Sequence, residues 1–212
     1  MAPAKRSARP VGALVLAPRR DLCLDFANTL AWRGSAPSES LHNLPDVARW
    51  CATSGALVAG AIEHSERWTE DHPAEAAALF RNAIALRETL YRIFHAIAGG
   101  GWPAEDDLSQ LNRALRVAPP RDALEAASGS FGWRVDANAP LTSAPALLAP
   151  VLWSAGDLLT AAQLARVREC ANDKCLWLFL DQSKNGTRRW CSMSACGNRA
   201  KAHRHYARLK GA

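Results

Sequence analysis

The sequence predicts a mainly α-helical domain with a minor β-hairpin, followed by a small cysteine-rich module of hairpin plus helix. Three observations predict it. Between about residues 20 and 168, apolar residues recur at steps of three and four, in segments bounded by proline and glycine. Four of the six cysteines fall in the last 43 residues, in two pairs of equal spacing. Charge is also divided: 11 Lys/Arg against 3 Asp/Glu from Arg166 to Ala212, but 10 against 17 from Asp21 to Ala165. With 212 residues, 49% apolar and 22% charged, the chain can bury a sizeable core. Its apolar runs are too short for a membrane-spanning helix, so none is expected.

The first 20 residues hold five basic and no acidic side chains and read as a basic arm, disordered from Met1 to about Pro10. The apolar stretch after Arg9 ends in Pro18-Arg19-Arg20 rather than at small residues, so a cytoplasmic protein is expected. A short strand is expected around Leu14 to Ala17, then a helix over Leu22 to Trp32. Pro45 opens a second helix and Gly55 ends it. Pro73 opens a third, with Leu79, Ala83, Leu86, Leu90, Ile93 and Ile97 on its apolar stripe, stopped by Gly99-Gly100-Gly101. Pro103 begins a fourth, with Glu105, Asp106 and Asp107 at its positive end, and Pro119-Pro120 breaks it. Phe131 to Asp136 alternates like a strand, with Leu141 to Ala144 as a candidate partner. A last helix runs from about Pro150 to Arg168. The domains are then 1–20, the arm; 21–165, the helical domain; and 166–212, the module.

Cys170 and Cys175 have four residues between them, Cys191 and Cys196 also four, and 15 separate the pairs. Two such pairs on tight turns can aim four thiolates at one tetrahedral centre. Zinc suits soft thiolates in that geometry, and four ligands leave no open position, so one structural Zn2+ is expected. Two disulfides would need an oxidising compartment, and an iron–sulfur cluster is the other alternative. Cys23 and Cys51 sit among apolar residues and read as buried core thiols. Within the module, Leu176 to Asp181 reads as one strand, Asn185-Gly186 as a tight turn and Thr187 to Trp190 as the returning strand. Gly197 to Lys210 reads as a helix, which makes the module treble-clef-like. So short a segment buries little by itself, so zinc supplies much of its folding free energy.

On that helix Arg199, His203 and Lys210 share a face, Lys201, Arg204 and Arg208 form the next stripe, and Ala202, Tyr206 and Leu209 are left to pack on the hairpin. Arg188 and Arg189 add charge from the second strand. These eight cations fit phosphate contacts, and arginine can also read guanine in a major groove. RNA, with Trp177 or Trp190 stacking on bases, and a protein partner are the alternatives. In the helical domain, Asp25, Asn28, Thr29 and Trp32 fall on one helical face. Asp25, Asn28 and Arg33 could line a ligand pocket; the assignment we favour is that Asp25 and Asn28 cap neighbouring backbone. No catalytic pattern is present: the histidines are scattered, the glycine triplet lacks the Lys-Ser/Thr of a phosphate loop, and no serine has a nucleophile-elbow setting. No enzyme is expected.

The run Arg188-Arg189-Trp190-Cys191-Ser192-Met193, followed by Cys196-Gly197-Asn198-Arg199-Ala200-Lys201, resembles the CGNR zinc finger, and Leu178 to Asp181 and the Cys170/Cys175 pair fit it as well. Leu22-Cys23-Leu24-Asp25-Phe26-Ala27-Asn28-Thr29-Leu30 resembles the start of the ABATE domain, the usual N-terminal partner of that finger. Together the resemblance covers roughly residues 20–210. It implies a zinc-holding, stress-induced transcription regulator of bacteria that binds DNA. A homodimer and a small-molecule effector are compatible with that expectation.

Overall fold

The computed structural model describes residues 13–16, 19–56, 61–127, 130–135, 143–202 and 206. In chain order the elements are β1 (Ala13–Leu16), α1 (Leu22–Ala27), β2 (Leu30–Ala31), β3 (Ser38–Glu39), α2 (Leu44–Thr53), α3 (Ala61–Asp71), α4 (Pro73–Ala98), α5 (Glu105–Val117), β4 (Leu124–Ala127), β5 (Ser130–Val135), α6 (Ala144–Leu147), α7 (Ala149–Leu159), β6 (Val167–Glu169) and β7 (Leu178–Leu180). A 3-10 turn at Ala162–Arg166 and a π-type turn at Met193–Gly197 complete them, the latter running into helical backbone over 198–202.

The longest apolar periodicity makes the longest helix. α4 has 26 residues and buries Ala76, Leu79, Ala83, Leu90, Ile93 and Phe94. Pro73 starts it, where a missing N–H costs nothing, and the chain leaves it at Gly99. α1, α2, α3, α5 and α6 pack around it, and so do β6 and β7. Burying each large apolar side chain in this core contributes about 1.5–3 kcal/mol. α2 begins with a reciprocal cap: the Asp46 N–H donates to Asn43 Oδ1 at 2.9 Å, and Asp46 Oδ2 accepts from the His42 N–H at 2.9 Å. It ends at Gly55, whose φ of +74° suits only glycine without strain. α7 is tied to α1 by Ser154, whose hydroxyl accepts from the Cys23 N–H and donates to the Arg20 carbonyl, both at 3.1 Å. Cys23 and Cys51 are buried core thiols, and burial pushes both up to about 12.

Several expectations are corrected. α1 stops at Ala27, so Asp25, Asn28, Thr29 and Trp32 do not share a helical face. The chain leaves the helix because Leu30–Ala31 pairs with Ser38–Glu39. β5 has β1 on one edge and β4 on the other in an antiparallel sheet, with Ala13 opposite Val135 and Leu124 opposite Trp133; of its expected partner stretch, Ala144 is helical, and Leu141 and Thr142 lie outside the described residues. The short strand expected around Leu14 to Ala17 is present as Ala13–Leu16, inside the stretch assigned to the basic arm. The helix expected to reach Arg168 ends at Leu159, and Val167–Glu169 is a strand. α3 was not anticipated.

The largest correction concerns the hairpin of the cysteine module. β7 pairs backwards with β6, Val167 opposite Leu180 and Glu169 opposite Leu178, and residues 187–190 form no strand. Val167, Leu178 and Leu180 are buried in the same core cluster as α1, α4 and α7. The module therefore buries its apolar strand face in the helical domain instead of standing apart.

Candidate metal centre and its basic face

Cys170 follows β6, and a tight turn brings Cys175 back over it. The Cys175 N–H donates to the Asn172 carbonyl at 2.8 Å, the Lys174 N–H to Asn172 Oδ1 at 3.2 Å, and the Cys170 N–H to the Trp177 carbonyl at 2.9 Å. Leu176 closes the turn at φ 54°, left-handed backbone that side-chain-bearing residues seldom adopt. Of the second pair, Cys191 precedes the π-type turn and Cys196 lies on it. Ser192 caps it, its hydroxyl accepting from the Ala195 N–H at 3.4 Å and its carbonyl from the Gly197 N–H at 3.0 Å.

The four sulfurs lie within 4.8 Å of one another, with Cys191 Sγ 3.7 Å from Cys175 Sγ and 3.8 Å from Cys196 Sγ. Sulfurs each about 2.3 Å from one tetrahedral zinc stand about 3.8 Å apart, so the donor set fits the ion. Outer donors face the sulfurs: the Cys191 N–H toward Cys170 Sγ at 3.5 Å and Asn172 Nδ2 toward Cys196 Sγ at 3.4 Å. Four thiols this close also resist ionising together. The hydrogen bond from Cys191 draws Cys170 down to about 5, burial pushes Cys175 up to about 12, and Cys191 is raised by its bond to Cys170 and by burial. A dication removes that conflict. The arrangement holds one structural zinc, with all four positions taken by protein.

The centre is braced from the helical domain. Asn28, 3% exposed, donates from Nδ2 to the Leu178 carbonyl at 2.7 Å and accepts from the Leu178 N–H at 3.0 Å. The Tyr91 hydroxyl donates to the Leu176 carbonyl at 3.2 Å, and His95 Nδ1 meets Glu169 Oε2 at 2.5 Å. Gly34 lies so close to the first knuckle that a Cβ there would be 1.8 Å from the Asp173 carbonyl oxygen. Within the module, the Asp181 carboxylate accepts from the Ser183 N–H at 2.9 Å and the Arg188 N–H at 3.0 Å, which shapes the loop between the pairs.

The expected ligand-pocket residues do not converge. Asn28 is spent on Leu178. Arg33 is ion-paired to Glu88 at 2.7 Å, bonded to the Ala27 carbonyl at 3.0 Å, and stacked 3.8 Å over the Tyr91 ring. Asp25 pairs with Arg19 at the surface. Of the eight expected nucleic-acid residues, Arg188 is committed to the fold: its guanidinium bonds the Trp190 carbonyl at 2.9 Å and the Cys191 carbonyl, and lies 4.5 Å over Phe179. Arg189, Arg199 and Lys201 are exposed. His203, Arg204, Arg208 and Lys210 lie outside the described residues. Tyr206, expected to pack inward, is 65% exposed, and Ala202 is exposed too.

A cleft of about 660 Å³ opens beside the sulfurs, between Trp32 of the helical domain and Arg189, Trp190 and Arg199 of the module. Trp32 is held at φ 56°, a conformation that costs about 1–3 kcal/mol and persists only where its surroundings impose it. Gly34, Tyr91 and Asn172 were missed from the sequence, and Trp32 was named only on a helical face that does not form. Only Gly34 carried a signal, as an isolated glycine marking close approach of backbone.

Among the described residues, no helix is long and apolar enough to cross a membrane. The ABATE family model, described as "Putative stress-induced transcription regulator", matches residues 20–162. The CGNR zinc finger model matches residues 166–209. Neither is an enzyme family. The comparison with curated proteins gives no match. The first of these models spans more than half of the sequence, and the chain belongs to the ABATE family, with a CGNR zinc finger as its C-terminal part.

Proposed function

We propose that the chain is a zinc-dependent, DNA-binding transcription regulator of the cytoplasm, in which residues 166–212 meet DNA and residues 21–165 act as sensor or dimerisation unit. The observation that carries this reading is the charge left over on the finger. Arg189, Arg199 and Lys201 are exposed beside the metal centre, and among the described residues none has a carboxylate within ion-pair distance. Arg188 is committed to backbone carbonyls beside the sulfurs, whereas Arg189, Arg199 and Lys201 make no such bond among the described residues. Exposed, unneutralised guanidinium and ammonium groups on a rigid support are what phosphate contacts require. Arg204, Arg208, Lys210 and His203 extend the same charge along the chain.

The test is charge reversal. Arg189→Glu, Arg199→Glu and Lys201→Glu together are expected to weaken binding to a mixed-sequence duplex and to lower the slope of log affinity against log salt by roughly three, about one per lost phosphate contact. Unchanged affinity and slope would remove this face from the DNA interface. Competition with single-stranded RNA separates a DNA finger from an RNA one.

A further inference from the structure

The cleft beside the metal centre has the makings of a second binding site. Its walls come from both parts of the chain: Trp32 from the helical domain, and Arg189, Trp190 and Arg199 from the finger. The Arg199 guanidinium lies 4.6 Å over the Trp32 ring and that of Arg189 lies 5.4 Å over the Trp190 ring. Each arginine is therefore held in place without being neutralised. Lys174 adds a third cation against one acid, Asp173. A volume of about 660 Å³ is within the range of sites that enclose one small ligand. Apolar aromatic walls favour a flat ring, and guanidinium groups without carboxylate partners favour an anion.

We propose that this cleft binds a nucleotide unit, its base against the tryptophans and its phosphate on Arg189 and Arg199. The unit has two possible sources, a free mononucleotide or one nucleotide of a single strand. A ligand there touches the helical domain and the finger at once, so its occupancy couples the two. The inference rests on and deepens the nucleic-acid reading of the finger, and adds Trp32, which meets the proposed duplex face only through Arg199.

The experiment is titration calorimetry on the full-length, zinc-loaded chain with AMP, with GMP, with inorganic phosphate and with a short single-stranded oligothymidylate, duplex binding being measured alongside. Saturable 1:1 binding of a mononucleotide or of the oligomer, with phosphate alone much weaker, is expected. Saturation by a mononucleotide identifies a free ligand, and saturation by the oligomer alone identifies a strand. Trp32→Ala is expected to weaken that binding about tenfold or more, in line with loss of a stacking platform, and to weaken duplex binding less, since Arg189 and Lys201 keep their place on the duplex face. Because Trp32 also packs against the cysteine cluster, a second variant, Ala171→Trp, fills the cleft from its exposed rim and should abolish the binding with zinc retained. Absence of binding by every probe overturns the inference, as does binding that neither variant alters. Loss of duplex binding alone, with nucleotide binding intact, overturns the DNA reading and leaves the cleft standing.

Discussion

Asn28 fastens the finger to the helical domain with one short side chain. Both its amide bonds go to the backbone of Leu178, 150 residues away. Asn28→Ala leaves a buried N–H and a buried carbonyl unpaired, and is expected to cost about 2–4 kcal/mol in urea unfolding. Gly34→Ala places a methyl group onto the Asp173 carbonyl, so the first knuckle must move. Faster zinc release to a chelator, together with a lower urea midpoint, is the expected result. The four metal ligands were legible because their chemistry is written in local spacing. Asn28 and Gly34 were not, because what makes each necessary lies far away in sequence. Asn28 was indeed read as bonding to backbone, but to its own neighbourhood. Arg188 was legible as a cation yet not as a brace, since composition does not say which guanidinium is already occupied.

At the scale of elements, α4 organises the fold through a buried charge network. Arg87 is 2% exposed and pairs with Glu39 at 2.6 Å and Glu88 at 2.9 Å, while Arg33 holds Glu88 from the other side. Removing one partner of such a set strands the others, so Arg87→Met is expected to cost about 3–5 kcal/mol. Burial by itself would raise Glu88, but the hydrogen bond from Arg33 and the charges of Arg33 and Arg87 outweigh it and hold the carboxyl below its usual range. Glu39 behaves likewise, burial being overridden by Arg87 and the N–H groups of Leu41 and Ser40. A carboxyl depressed in the folded state stabilises fully above its unfolded value of about 4.3, and that stability is lost as pH falls through the folded value. Stability should therefore fall as the medium is acidified below about pH 4.3, and Glu88→Gln should flatten that slope in urea titrations at successive pH values. The proline-bounded helices were legible because their start and stop signals are local. The finger hairpin was not. Asn185-Gly186 does turn the chain, with Gly186 at φ 63°, but β7 has its partner on the other side, in β6. A turn signal cannot choose between two flanking strands when the deciding term is burial of Val167, Leu178 and Leu180 under α1 and α4.

For the molecule as a whole, the shared core revises the part that zinc plays. The cysteine segment was expected to depend on the metal for much of its folding; its strands are instead part of the main core. Zinc removal is thus expected to lower the melting temperature and loosen the two knuckles while the helical circular dichroism largely persists. Thiol titration of the chelated, undenatured chain should show four reactive cysteines, with Cys23 and Cys51 withheld by burial. Six reactive thiols would mean that the helical core opens with the metal. The same architecture ties the proposed DNA face to the helical domain through Asn28, Tyr91 and the Gly34 contact. The most direct measurement of the proposed function is binding of the full-length, zinc-loaded chain to a labelled mixed-sequence duplex across a salt series, beside a zinc-stripped control. Affinity that falls steeply and linearly in log salt, and that disappears on stripping and returns with zinc, is the predicted result. Absence of binding at the lowest salt, or binding indifferent to both salt and zinc, would contradict it.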